Sequence, residues 1–229
     1  MTRPAADSRA SLVGRDKETA CLRDLVSPPY EGPRALLLLG EPGLGKTALL
    51  TEAAAQAWSG GMWQLSATGR ESERELAFSG LHQLLRPALR YLEGLPARQA
   101  AALRGAFALA GDTVPPDALL TGIAVLTLLS LASEEAPLLV TADDGQWLDQ
   151  ASLDALAFAT RRLDEERVVV LVSARGTVPP AGLERDFPQL LLEPLPLADA
   201  GRLLDSQPTP PRGRARDQVL AQAAGNPLA

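Results

Sequence analysis

The sequence predicts an α/β domain with three layers, a mainly parallel sheet of five strands covered by helices on both faces. Three observations carry that expectation. Short continuous apolar runs at residues 34–39, 137–142 and 167–173 have the composition of strands buried on both sides. Longer stretches with helical patterning separate them, the alternation that parallel strands with crossover helices require. A glycine-rich turn at residues 40–47 sits where the first run gives way to a helix.

Taken in order, residues 1–11 are polar and read as a flexible N-terminus. Residues 14–26 form a helix with Leu22, Leu25 and Val26 apolar and Ser27-Pro28-Pro29 as its stop. The strand at 34–39 leads through the turn into a helix over 46–58, and residues 62–67 supply a second strand. A helical insertion follows, over 78–91, 96–110 and 116–132, with proline near the start of the last two, where the first turn favours it. The third strand, 137–142, ends in Asp143-Asp144, and Asp149 or Ser152 caps a helix running to residue 163. The valine-rich strand 167–173 comes next, then a fifth strand at 189–193 and a helix near 198–204. A Pro/Arg-rich loop at 207–214 separates these from a last helix, 215–224, closed by Gly225-Asn226-Pro227.

Composition narrows the chemistry. With 229 residues, 46% of them hydrophobic, the chain is long enough for one large domain with a substantial core. A net charge of −6 argues against this segment gripping nucleic acid, whose phosphates call for a basic face. Cys21 and His82 are the only residues of their kinds, which excludes an internal disulfide and leaves little room for His-based metal sites or Ser-His-Asp catalysis. The N-terminus lacks the apolar core of a signal peptide, and the longest apolar run, 118–132, falls short of the roughly 20 residues of a membrane span. A buried helix and a cytoplasmic protein without a membrane partner are expected. Only Lys17 and Lys46 among the 22 basic residues are lysine, which with the abundance of Ala, Gly and Pro suits a GC-rich bacterial genome.

Against that background, a lysine inside the glycine-rich turn carries information. Gly40, Gly45, Lys46 and Thr47 match the P-loop pattern G-x-x-x-x-G-K-[ST]. Glycine there lets backbone N–H groups turn inward around phosphate, and the following helix aims its positive end at the same anion. Lys46 reaches β- and γ-phosphate oxygens, and the Thr47 hydroxyl helps hold Mg²⁺. A chance glycine-rich turn is the alternative, and the flanking strand and helix weigh against it. The motif alone accepts ATP or GTP.

Leu138-Leu139-Val140-Thr141-Ala142-Asp143-Asp144 has the form of an apolar strand ending in carboxylates. In hydrolases with a P-loop, the first such aspartate, here Asp143, supports the Mg²⁺ shell. The second, Asp144, can polarise an attacking water. Arg175 follows the valine-rich strand at the edge where open α/β sheets bind ligands. It reads either as a sensor of the γ-phosphate or as a solvated surface arginine.

Together these stretches resemble the nucleotide-binding domain of the STAND class of signal-transducing P-loop ATPases, which are related to AAA+ proteins. Within that class they are similar to the large ATP-binding LuxR-family (MalT-like) transcriptional regulators. The matching segments are Leu12-Val13-Gly14-Arg15-Asp16, the P-loop, and Phe78-Ser79-Gly80-Leu81-His82-Gln83-Leu84-Leu85-Arg86-Pro87. They continue with Asp143-Asp144-Gly145-Gln146-Trp147-Leu148-Asp149, Val172-Ser173-Ala174-Arg175 and Gly225-Asn226-Pro227-Leu228. The resemblance implies a sheet ordered 5-1-4-3-2, ATP rather than GTP, and Arg175 as the sensor. It adds Val13, Arg15 and Pro227 to the nucleotide-contacting set formed by Gly40, Glu41, Pro42, Gly43, Leu44, Gly45, Lys46, Thr47 and Ala48. For Arg15, a plain charge at a helix start stays open beside the nucleotide role.

The resemblance divides the chain into a P-loop ATPase core at 12–206 and, at 207–229, a linker with the start of a truncated helical lid. The function it implies is an ATP/ADP switch with slow hydrolysis and self-association on ATP binding. DNA would be contacted only through a C-terminal domain absent from this chain. Two other readings stay open: a mechanical AAA+ ATPase of origin-recognition or remodelling type, and a nucleotide-binding fragment that does not hydrolyse. Elsewhere, His82 reads as structural, Cys21 as a small core residue, Trp147 as loop packing, and Arg212, Arg214 and Arg216 as solvated.

Overall fold

A computed structural model describes residues 12–28, 35–109, 117–184 and 187–229. The expected flexible terminus at 1–11, the strand start at Arg34 and the helix start at Pro116 lie outside the described residues. Five parallel strands form one sheet: β1 (Ala35–Gly40), β2 (Trp63–Thr68), β3 (Leu138–Asp143), β4 (Val168–Arg175) and β5 (Gln189–Leu191), in the order β2-β3-β4-β1-β5. This is the order 5-1-4-3-2 read from the opposite edge. The register puts Gly40 beside Arg175 and Thr68 beside Asp143, so the acidic, basic and glycine-rich strand ends meet at one rim of the sheet.

Side chains alternate between the faces of each strand, and two cores result. Leu36 and Leu38 of β1, Leu139 of β3 and Val169 and Leu171 of β4 pack with α1 (Asp16–Val26) and α2 (Lys46–Ser59). Their neighbours Leu37, Leu39, Val140, Val168, Val170 and Val172 face the opposite layer. That layer holds α3 (Ser79–Leu85), α4 (Ala97–Ala106), α5 (Ala118–Glu135) and α6 (Gln150–Thr160). Because both faces are covered, the central strands are apolar in unbroken runs rather than at alternate positions, polar residues entering only toward their C-terminal ends.

Helix α5 is long and apolar enough, by length and composition, to cross a membrane. Packing accounts for its character: Ala124, Val125, Leu128 and Leu129 are fully buried between the sheet, α4 and α6. Asp117 caps it by accepting from the Leu120 N–H at 3.0 Å.

Several expected elements are shorter than the pattern suggests, among them the fifth strand, which ends at Leu191. The helix over 78–91 stops as α3 at Leu85 and continues as a 3-10 stretch, Arg86–Gly94. Pro87 has no N–H for an α-helical bond, and its ring crowds the turn before it. Helix α4 ends at Ala106, where the backbone turns left-handed at Ala108. Helix α6 ends at Thr160, and its cap is Asp149 rather than Ser152. Cys21 corrects another expectation. It is exposed, because Leu22, Leu25 and Val26 form the buried side of α1.

After β5 come α7 (Leu197–Asp205) and α8 (Arg214–Ala223). They are tied by Arg216, whose guanidinium donates to both oxygens of Asp205 at 2.8 and 2.9 Å. Arg216 is thus paired, where the sequence suggested a solvated charge.

Candidate functional site

The turn between β1 and α2 is shaped by what α2 lacks. Its N-cap is Gly45, left-handed at φ 96°, and no side chain bonds the first N–H groups of the helix. A helix start leaves four N–H donors without partners inside the helix, and here they open onto the sheet rim as a ready anion site. Lys46 lies beside them, only 7% exposed. Its Nζ donates to the carbonyls of Gly40 at 2.6 Å and Glu41 at 3.0 Å, folding the side chain back over the loop. Burial lowers the Lys46 pKa, and neighbouring carboxylates, Asp144 foremost, offset part of that shift.

Opposite the loop, β3 delivers the two acids in different environments. Asp143 Oδ2 accepts from the Thr47 hydroxyl at 2.8 Å, and its Oδ1 accepts from the Ser173 hydroxyl of β4. Asp144 turns left-handed, at φ 50°. An L-residue adopts that conformation at a cost of about 1 kcal/mol or more. Its N–H donates to Asp143 Oδ1 at 3.0 Å and to Ser173 Oγ at 3.1 Å. Its carboxylate accepts from Gln146 Nε2 at 2.8 Å and from Arg175 Nε at 3.2 Å. Burial pushes the Asp144 pKa up, but Gln146, Arg175 and Lys46 outweigh it, and the carboxyl lies below its ordinary value.

Arg175 is 46% exposed, stands over the Trp147 ring at 6.0 Å, and donates its backbone N–H to Gln146 Oε1 at 2.9 Å. Lys46, Thr47, Asp143, Asp144 and Arg175 therefore share one rim of the sheet. Gly69, after β2, is part of the same support: its N–H donates to the Asp143 carbonyl at 2.8 Å, and a methyl there would overlap the Asp144 carbonyl.

The remaining expected residues surround the loop. Arg15, 6% exposed, donates to the Leu44 carbonyl at 3.1 Å, the Glu193 carbonyl at 2.8 Å and Glu18 Oε1 at 3.0 Å. It braces the loop from behind, both terminal nitrogens bonded to protein groups while Nε is buried without a partner. Val13 is half-buried at the entry to α1, Glu41 and Pro42 are exposed on the loop, and Thr47 and Ala48 are exposed on the first turn of α2. Pro227 is exposed, and the residue before it makes the contact: Asn226 Nδ2 donates to the Pro42 carbonyl at 2.9 Å. Gly43, at φ 86°, lies so close beneath Asn226 that a methyl would overlap its amide.

Ser173, Gln146 and Asn226 lie within the sequence motifs, which give them no role of their own. For Ser173 a signal exists, since it is the polar residue of a strand that is apolar up to Arg175. The other two are ordinary polar residues in loops, and only the folded chain shows what they hold. His82 has the structural place expected of it, its ring 5.2 Å from that of Phe107.

The oxygens of Thr47 and Asp143 suit Mg²⁺, which binds through one or two carboxylates together with phosphate oxygens and water. Among the described residues, no group of three or more His, Cys, Asp or Glu side chains could hold a metal by itself, so phosphate oxygens or water would complete the shell.

Residues 11–172, the greater part of the chain, match the family model described as "AAA ATPase domain". Among solved structures, the chain is similar to a Walker-type ATPase of Pyrococcus abyssi, with 15% identity and a TM-score of 0.55, over 99% of this chain and 67% of that one. It is also similar to the AAA domain of FIGL-1 in complex with ADP, with 16% identity and a TM-score of 0.46, over 86% of this chain and 59% of that one. The chain thus spans about 59% of the FIGL-1 chain's length. At such identities the likeness to the Pyrococcus protein concerns the fold. No curated protein matches this chain.

Proposed function

This chain belongs to the AAA ATPase domain family, and from that we infer that it binds ATP with Mg²⁺ and acts as a slowly hydrolysing ATP/ADP switch. The observation that supports the reading is the meeting of Lys46, Thr47, Asp143, Asp144 and Arg175 at one rim, with both cations already engaged. Lys46 is held by the Gly40 and Glu41 carbonyls, and Arg175 by Asp144.

A triphosphate competes for both. Its β- and γ-oxygens draw Lys46 off the carbonyls, while the uncapped N–H groups of α2 take the remaining phosphate charge. Thr47 and Asp143 would hold Mg²⁺, which when bound neutralises charge across the β- and γ-phosphates. A γ-phosphate also offers Arg175 a stronger partner than the half-buried Asp144 carboxylate, since the guanidinium fork matches phosphate geometry. Arg175 leaving Asp144 frees that carboxylate to accept a proton from a water positioned beside the γ-phosphate. ADP supplies no γ-phosphate, so Asp144 and Arg175 remain paired. The two nucleotides thereby select different states of the same rim, the requirement for a switch.

We further propose that the module serves a bacterial, cytoplasmic transcriptional regulator of the LuxR family, self-associating on ATP binding and reaching DNA through a separate domain. The motifs at residues 78–87 and 143–149 support this, since they carry the resemblance to that group.

The switch is tested with Asp144→Asn. Labelled ATP should bind with its affinity unchanged within about threefold, while single-turnover hydrolysis falls by at least about 100-fold. Unchanged turnover would remove Asp144 from the mechanism. Binding without turnover in the wild-type protein would favour a non-hydrolysing module.

A further inference from the structure

We propose that Ser173 is the positioning residue for the metal-side carboxylate, and that its hydroxyl sets Mg²⁺ affinity without touching nucleotide. The inference rests on the ATP·Mg²⁺ reading above and concerns a residue that reading does not use.

Ser173 is fully buried near the end of β4, in a strand otherwise built of Val, Leu and Ala up to Arg175. A hydroxyl in such a place carries a desolvation penalty unless its bonds are made. Here both are made, and both go to the acidic pair. As donor it bonds Asp143 Oδ1; as acceptor it takes the Asp144 N–H at 3.1 Å. One hydroxyl supplies one proton and two lone pairs, so the two bonds are compatible.

The consequences differ for the two acids. Asp143 has its oxygens divided, Oδ2 accepting from the Thr47 hydroxyl at 2.8 Å and Oδ1 from the Ser173 hydroxyl and from the Asp144 N–H at 3.0 Å. The Thr47 side is exposed and belongs to the nucleotide-facing surface, so that bond must rearrange when a cation enters. The Ser173 side is buried and has no reason to change. Ser173 therefore anchors the far oxygen, together with the Asp144 N–H that it also accepts from, and keeps the near one aimed at the P-loop. For Asp144, the same hydroxyl helps hold the N–H of a residue in the left-handed region, the turn that sends its side chain to Gln146 and Arg175. Partners that orient a metal ligand from behind typically matter by about 10- to 100-fold in metal affinity.

The experiment titrates Mn²⁺, followed by its electron paramagnetic resonance signal, into wild-type protein, Ser173→Ala, Ser173→Thr and Ser173→Cys saturated with ADP. Nucleotide affinity in EDTA is measured alongside. Ser173→Ala should raise the Mn²⁺ midpoint by about 10-fold or more while ADP affinity in EDTA stays within about twofold. Ser173→Thr, which restores the hydroxyl, should recover most of the loss. If the added methyl unfolds that variant, Ser173→Cys replaces it: close in size but a weak donor, it should behave like alanine. A Mn²⁺ midpoint within twofold of wild type in Ser173→Ala overturns the proposal, as does an equal loss of ADP affinity in EDTA, which marks general damage to the site. A wild-type protein that binds neither ADP nor Mn²⁺ overturns the nucleotide reading itself, and this inference with it.

Discussion

Asp149→Ala should destabilise the protein by about 4 kcal/mol, far beyond the loss of an ordinary helix cap. Asp149 is 2% exposed and caps α6 by accepting from the Ser152 N–H at 2.9 Å. It also accepts from the Phe78 N–H at 2.7 Å and the Gly80 N–H at 3.0 Å, so one carboxylate holds the starts of α6 and α3 together. The hydroxyls of Ser79 and Ser152 add bonds at 3.2 and 2.7 Å. Losing an aspartate cap costs about 1 kcal/mol. Leaving the Phe78 and Gly80 N–H groups buried without partners costs about 1 to 3 kcal/mol each. The lower half of that range applies, because the space vacated by the carboxylate admits water. Urea denaturation followed by circular dichroism measures the loss directly. A thermal scan should show a midpoint lower by about 10 °C, at about 2 to 4 °C per kcal/mol for a domain of this size. Asp149→Asn, which keeps an acceptor and caps well, should fall between alanine and wild type. A loss below about 1 kcal/mol for alanine would refute the reasoning, because it would mean that neither buried N–H depends on this carboxylate.

Two further predictions concern the rim. Because the Asp144 pKa is depressed in the fold, the stability it contributes is present above the unfolded carboxylate value of about 3.9 and is lost as pH falls through the lower folded value. Thermal midpoints of wild type and Asp144→Asn should therefore differ at pH 6 and converge below about pH 4; a gap that widens on acidification would contradict the ion pair. Gly43→Ala combines a left-handed alanine, about 1 kcal/mol, with displacement of the Asn226–Pro42 bond, about 1 kcal/mol, so its midpoint should fall by about 4 to 8 °C. Because Asn226 is the obstacle, Gly43→Ala combined with Asn226→Ala should lose less than the two single changes added together, and strict additivity would refute the contact.

The sheet was legible because its central strands are buried on both faces and read as unbroken apolar runs. Valine at 168, 169 and 170 leaves little alternative to β structure. The strand order came from the resemblance and not from periodicity, which does not say which strands are neighbours. Helix ends were less legible: the break at Pro87 is a local backbone rule that could have been applied, whereas the left-handed turn at Ala108 has no compositional mark. In the site, Lys46, Thr47, Asp143 and Asp144 are visible from spacing because phosphate chemistry demands those residue types in that order. Ser173, Asn226 and Asp149 act on partners far away in sequence, with Asn226 and Pro42 separated by 184 positions. No pattern along the chain reports such a contact. Arg15 shows the converse: its place in a motif suggested a ligand contact, and its three bonds go to the protein itself.

The central claim is that the loop at residues 40–47 binds ATP through Lys46, and a titration of wild-type and Lys46→Ala protein with a fluorescent ATP analogue in the presence of Mg²⁺ tests it most directly. The wild type should saturate. Lys46→Ala, with its circular dichroism spectrum unchanged, should show no saturable binding in the same concentration range. Affinity retained within about threefold in Lys46→Ala would contradict the account, since a lysine facing β- and γ-phosphates contributes well over the factor of 10 that about 1.4 kcal/mol represents.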